Sequence, residues 1–397
     1  MISLAARDIA HSWSKYVLTG IGLGLLIGVT FSMAGIFRGM VDDAQVLLRN
    51  SQADIWVVQK DTQGPYAEAS SLPDDVYRSV LGLPGVQQAA NVTYFTMQVQ
   101  QQGKDVRVMV VGFEAGQPGA PPSLVAGRHV TRSHYEAVAD VKAGFTLGER
   151  IRIRRNDYTV VGLSSRTVSS GGDPMVFIPL ADGQASQFLK DNDAIVSGRM
   201  RTAANPAFNR PAVPGLLEAV QASQTVSHNV NAVLVRVRPG WSAQTIAAQV
   251  QRWKHLQAYT YAEMEEIAVQ KLIATSAKQI GLFLVILTIV STAIVSFIIY
   301  TMTLGKIREI AVLKLIGTRN STIAWMILQE SIGLGLVGFI IGKTVSTLWA
   351  PAFPKYVLLL PQDAVAGLLV IIVVCTLAST MAIRAALKVD PAEAIGG

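Results

Sequence analysis

Residues 280–302 read IGLFLVILTIVSTAIVSFIIYTM, and residues 303–317 continue TLGKIREIAVLKLIG. The first run carries no charged side chain. At ~1.5 Å per residue it is long enough to cross a hydrocarbon core of roughly 30 Å. The second run sets Lys306, Arg308, Glu309 and Lys314 among apolar neighbours. A short helix of that composition needs a surface against which to bury one side. A spanning helix that hands over to such an element points to a membrane protein coupled to something inside the cell.

The rest of the chain supports a membrane setting. Half of the 397 residues are hydrophobic and 15% are charged, against about 25% charged in an ordinary soluble domain. The apolar residues gather at 16–37 and 280–387, whereas the middle has the composition of a soluble protein and a nearly balanced charge. The net charge of +7 comes in good part from cations at the ends of the apolar runs. That placement orients helices in a bilayer and argues against nucleic acid as a partner. The single cysteine, Cys375, excludes an intrachain disulfide and a cysteine-built zinc site.

The pattern predicts a multi-pass α-helical membrane protein with four transmembrane helices. A large α+β extracytoplasmic domain is expected between helices 1 and 2. In residue numbers, 1–15 is an interfacial helix or a continuation of the next one, with Ile2, Ala6, Ile9 and Trp13 on one face. The first span is 16–37, too long for a cleaved signal core. The exported domain is 38–279, with a β-rich insertion at about 115–200. The second span is 280–302, a coupling helix and loop occupy 303–322, and the third span is 323–349. An outer loop at 350–363, a fourth span at 364–383 and a tail at 384–397 complete the chain. Within the middle, strands are expected around 53–59, 92–100, 106–112, 175–180 and 232–237. A hairpin closing at Asn156-Asp157 and a helical stalk over 261–278 are also expected. Lys306, Arg308, Lys314, Arg319, Arg384 and Lys388 stand at the proposed inner ends, and only Lys355 in the outer loop. The positive-inside tendency then puts both termini inside the cell.

Small residues supply a second signal. Gly20, Gly24, Gly28 and Ser32 recur every four residues in the first span, and Gly338 and Gly342 do so in the third. Such a stripe lets two helix backbones approach closely. Glu330 stands within the third span, where a carboxylate is costly without a partner or water. It is either a helix-packing contact or an end-of-helix residue reaching the interface.

Catalytic signatures fail. Gly338-Phe-Ile-Ile-Gly342-Lys343-Thr344 is one residue short of a phosphate-binding loop and ends an apolar helix instead of following a strand. The five histidines lack metal-ligand spacing, and no nucleophile elbow is present. Asp191-Asn192-Asp193 lacks the glycine and glutamate of a calcium loop. Arg150, Arg152, Arg154 and Arg155 alternate with Ile151 and Ile153, which fits either a solvated hairpin face or a surface for lipid or a partner.

Four segments resemble the permeases of the MacB/FtsX-like, type VII ATP-binding-cassette systems. These are 15–22 (KYVLTGIG), 308–317 (REIAVLKLIG), Gln329-Glu330-Ser331 with the glycines that follow, and 390–395 (DPAEAI). Residues 141–163 with 176–180 are similar to the family's small β-rich exported module. The resemblance implies a non-catalytic subunit with no cofactor in this chain, ATP and magnesium being held by a separate cytoplasmic ABC ATPase. It also implies a second permease copy, as homodimer or heterodimer, contact with membrane lipids, and location in the bacterial inner membrane. For some members it further implies a periplasmic membrane-fusion adaptor and an outer-membrane channel.

Members export antibiotics or lipids, extract lipoproteins, or activate cell-wall hydrolases. With no residues expected to form a nucleotide-binding domain, this chain looks closest to the DevC-like and lipoprotein-releasing branches. The expected role is mechanotransmission, with ATPase coupling through Lys306, Arg308, Glu309, Lys314 and Gly317. A transmembrane signalling subunit that activates an outer enzyme, and an anchored sensor without an ATPase, are the alternatives.

Overall fold

The computed structural model describes residues 13–188, 192–209, 213–225, 228–272, 274–353 and 355–388. The proposed interfacial helix before Trp13 and the tail from 389 lie outside them. The chain divides into two units, one built from residues up to Met40 with those from Thr275 onward, the other from Val41–Ala274.

The first helix, α1 (Trp13–Asn50), runs without a break, well past the expected end at 37. Apart from Gly39, no glycine or proline lies between 37 and 50 to stop it.

In the Val41–Ala274 unit a sheet of ten strands has the order β12-β1-β11-β3-β4-β9-β6-β8-β5, with β7 also on β8. The strands are β1 (Ile55–Gln59), β3 (Val86–Gln101), β4 (Lys104–Phe113), β5 (Leu124–Gly127) and β6 (Glu136–Asp140). They continue with β7 (Arg150–Ile153), β8 (Asn156–Ser164), β9 (Met175–Pro179), β11 (Ala232–Val237) and β12 (Leu256–Thr260). A separate pair joins β2 (Leu72–Pro73) and β10 (Asn229–Val230). The helices are α2 (Val76–Leu81), α3 (Leu180–Gln187), α4 (Asn192–Ala204), α5 (Leu216–Thr225), α6 (Ala243–Gln251) and α7 (Tyr261–Glu266).

The sixteen-residue β3 joins two halves. Its first half pairs with β11, over a core of Ile55, Val57, Val80, Val86, Val233, Val235, Ile246 and Val250. Its second half pairs with β4, over a core of Phe95, Val108, Val110, Ile151, Ile153, Tyr158, Val176 and Ile178. The insertion at about 115–200 is therefore not self-contained. The parallel pairing of β4 with β9 makes it share a core with β3 and β4.

A further expectation is corrected. The β7–β8 hairpin turns at Arg154-Arg155, with Ile153 opposite Asn156 and Ile151 opposite Tyr158. That register sets Ile151 directly across from Tyr158 and buries Ile151, Ile153 and Tyr158. The helical stretch expected over 261–278 follows strand β12. A capping box between Thr260 and Glu263 then starts α7, and a π-helical segment at Ile267–Leu272 follows it.

The other unit adds α8 (Ala274–Gly305), α9 (Ile307–Leu315), α10 (Asn320–Trp349) and α11 (Pro361–Lys388). Among the described residues four helices are long and apolar enough to cross a membrane, over Tyr16–Asn50, Lys278–Gly305, Asn320–Ala352 and Pro361–Lys388. Leu23, Ile27 and Phe31 of α1, Val295 and Ile299 of α8, Ile323, Ile327 and Leu334 of α10, and Cys375 with Ala378 of α11 form the shared core. The loop before α11 lies along α1, with the Leu358 amide donating to Gly35 O at 3.0 Å and Arg38 paired with Asp363 at 2.5 Å.

Candidate functional site

Helix α9 is delimited at both ends by sequence. Helix α8 ends at Gly305, and Lys306 is the N-cap of α9. At the far end Gly317 adopts φ +88°, a left-handed conformation that glycine tolerates without steric penalty. The Thr318 amide donates to Leu313 O and the Gly317 amide to Lys314 O, both at 3.0 Å. Those two bonds satisfy the last carbonyls of the helix in a Schellman arrangement.

The helix has two unlike faces. Ile310 and Ala311 are buried. Arg308, Glu309, Val312, Leu315 and Ile316 are exposed, Leu315 at 64% and Ile316 at 76%. The outward stripe is therefore apolar and edged by one cation and one anion.

Two lysines tie α9 to its neighbours. Lys306 Nζ lies 3.1 Å from Glu330 Oε2 on α10. It is 3.5 Å from Tyr16 Oη and 5.4 Å from the centre of that ring on α1, a cation–π arrangement. Lys314 Nζ donates to Leu387 O in the last turn of α11 at 2.8 Å, where the helix macrodipole favours a cation.

The five glycines of the stripe converge on one seam between α1 and α10. A Cβ placed on Gly20 would stand 2.7 Å from Val337, and one on Gly24 would stand 2.6 Å from Ile341 and 3.1 Å from Gly338 O. On Gly28 it would be 3.1 Å from Gly342 O, on Gly338 2.8 Å from Leu23, and on Gly342 2.7 Å from Gly24 O. The backbones approach this closely because no side chain intervenes. The near-match to a phosphate loop is thus a packing surface inside a helix. Among the described residues no group of three or more His, Cys, Asp or Glu is placed to hold a metal ion.

Residues 16–253 match the family model of the MacB-like periplasmic core domain, and residues 281–391 match that of the FtsX-like permease C-terminal region. The chain belongs to the MacB/FtsX-like ABC transporter permease family. An uncharacterized ABC transporter permease of Mycobacterium tuberculosis is 24% identical over 401 residues, covering 100% of both chains. Another, from Mycobacterium bovis, is 21% identical over 397 residues, again 100% of both. The solved periplasmic region of MacB from Actinobacillus actinomycetemcomitans aligns with 56% of this chain and 96% of its own, at 9% identity and a TM-score of 0.33.

The permease is thus a non-catalytic membrane subunit, and its family implies an ATPase partner and a dimeric assembly. Of the residues expected to matter, the structure brings Lys306 to Glu330, sets Arg308 and Glu309 on the outward stripe, and turns Lys314 inward to α11. Sequence reasoning passed over Tyr16 and the carbonyl of Leu387. The available signal for Tyr16 was a polar aromatic beside Lys15 at the mouth of a span.

Proposed function

We propose that this permease transmits motion from a separate ATPase to the Val41–Ala274 unit, held outside the cell, and thereby exports or extracts its substrate. On this reading both termini and α9 face the cytoplasm, and the outward stripe of α9 is the docking surface. What supports it above all is the anchoring of α9 to three spans at once through Lys306 and Lys314. A load on a helix held in that way moves the bundle instead of bending a loop.

The outward stripe suits the role. Val312, Leu315 and Ile316 supply apolar area, while Arg308 and Glu309 supply complementary charge at the edge, where it sets orientation more than affinity. Glu309→Lys reverses one of these charges at an exposed position, so the variant should insert normally and lose permease-stimulated ATP hydrolysis by the co-expressed ATPase. Stimulation equal to wild type would reject docking through α9. Digestion of the Val41–Ala274 unit by protease added to spheroplasts checks its exterior placement.

A further inference from the structure

Across β6, β8 and β7 three residues stand in one row. Glu136 pairs in register with Thr159, and Thr159 with Arg150. The row forms the floor of a cleft of about 490 Å³, whose walls include Arg128, Arg132, His134 and Tyr135. None of these residues belongs to the membrane-spanning unit.

The cleft is rigidly built on Glu136. Its buried carboxylate accepts two bonds from the Arg128 guanidinium, at 2.5 and 3.0 Å. The amides of Thr131 and Arg132 add bonds at 2.9 and 3.1 Å. Opposite, His134 Nδ1 lies 2.6 Å from Asp182 Oδ1, and the Tyr135 amide donates to Asp182 Oδ2 at 2.9 Å. Tyr135 is held at φ +63°, an uncommon conformation for a bulky residue and one that persists where surroundings enforce it. Tyr135 is 54% exposed and lines the cleft.

The two carboxylates are spoken for, Glu136 by Arg128 and Asp182 by His134 and Tyr135. Asp157, the other acid of the wall, faces Arg152 in the hairpin register. Arg132, on a loop, sets its Nε 3.7 Å from Glu136 Oε1, so the groups left to meet a ligand are its outer amino groups, the exposed guanidinium of Arg150 from a strand, and the Thr159 hydroxyl opposite Arg150. They come from a loop and from two neighbouring strands, β7 and β8. A carboxylate, which is planar, is met by a single fork, whereas a tetrahedral phosphate accepts donors from several sides. The Tyr135 ring offers a flat apolar face to whatever carries the phosphate.

We propose that this cleft binds a phosphate-bearing ligand, with Arg132, Arg150 and Thr159 on the phosphate and Tyr135 against its carrier. The carrier is either a soluble sugar or an anionic lipid headgroup.

Calorimetric titration of the full-length chain in detergent tests it with two probes, glucose 6-phosphate and short-chain phosphatidylglycerol. Saturable binding of either probe, displaced by inorganic phosphate, is expected, and the probe that binds identifies the source. Arg132→Ala and Arg150→Ala should each weaken that binding about tenfold, the size of one charge-assisted bond, whereas Lys60→Ala should not. Both arginines are exposed, so unchanged thermal unfolding confirms that the variants fold. Failure of both probes to saturate, wild-type affinity in both arginine variants, or equally tight binding of glucuronate would overturn the proposal. None of these readouts involves ATP hydrolysis, so the assignment stands or falls apart from the transmission role of α9.

Discussion

Lys306 and Glu330 meet at 3.1 Å with side chains only 15% and 12% exposed. The lysine opens α9 and the carboxylate belongs to α10, so the pair fixes the angle between a short helix and a span. In such a setting a lone charge is far more costly than a paired one.

Glu330→Gln should accordingly destabilise the protein in detergent by about 3 kcal/mol, the range for breaking a buried pair. The swapped variant Lys306→Glu with Glu330→Lys should recover part of the loss. Thermal unfolding of the three proteins measures it. No recovery in the swap would mean that Tyr16, next to Lys306, dictates the sign at that position.

The glycine seam gives a sharper contrast. A Cβ on Gly24 meets Ile341 at 2.6 Å, whereas one on Gly22, two residues earlier, has nothing within 4 Å. Gly24→Val should destabilise by about 1–3 kcal/mol through overpacking, and Gly22→Ala should be neutral. Melting curves that coincide for the two variants would contradict the α1–α10 packing.

Acid should loosen the Val41–Ala274 unit through Glu136. Hydrogen bonds from Arg128 first, and then from the Thr131 and Arg132 amides, outweigh burial and lower its carboxyl from 4.5 to about 2. A depressed carboxyl contributes stability that is complete above its unfolded value and fades as the pH falls towards the folded one. Stability should therefore decline from about pH 4.5 down to about pH 2. Near-ultraviolet circular dichroism follows it, and Glu136→Gln should flatten that part of the profile while losing about 2 kcal/mol at neutral pH.

The outward stripe of α9 predicts a separation of binding from stability. Leu315 is 64% exposed, so Leu315→Asp should leave the melting temperature within a degree or two. Its co-purification with the ATPase should fall by about tenfold, as loss of an apolar anchor at an interface centre does. Full recovery of the ATPase with this variant would remove Leu315 from the docking surface.

The spans were readable because their signal is local. Uncharged runs, Gly305 and Gly317 each act through neighbours in sequence, and the structure places α8, α9 and α10 close to where those residues point. The seam was half legible: spacing marked the glycines, but only the fold matched Gly24 to Gly338 and Ile341. The Lys306–Glu330 pair joins positions 24 residues apart through a helix reversal, and no periodicity reveals such a contact. The middle unit was harder. Strand β6 is short and buried at every position, so it lacks the alternation that announces a strand. The α1 overrun past 37 shows the reverse failure, a change from apolar to polar composition read as a boundary where the backbone continues.

Helix α8 is the least sheltered of the four spans, with 11% of its most apolar window buried within the chain. Its height is therefore governed by the surrounding acyl chains more than by its siblings, whereas α1 and α10 are locked to each other by backbone contact. Lipids of a different length would shift α8 against that locked pair at a fraction of a kcal/mol per ångström. Bilayer thickness thus becomes a setting on the gearing, one that no residue of the polypeptide encodes.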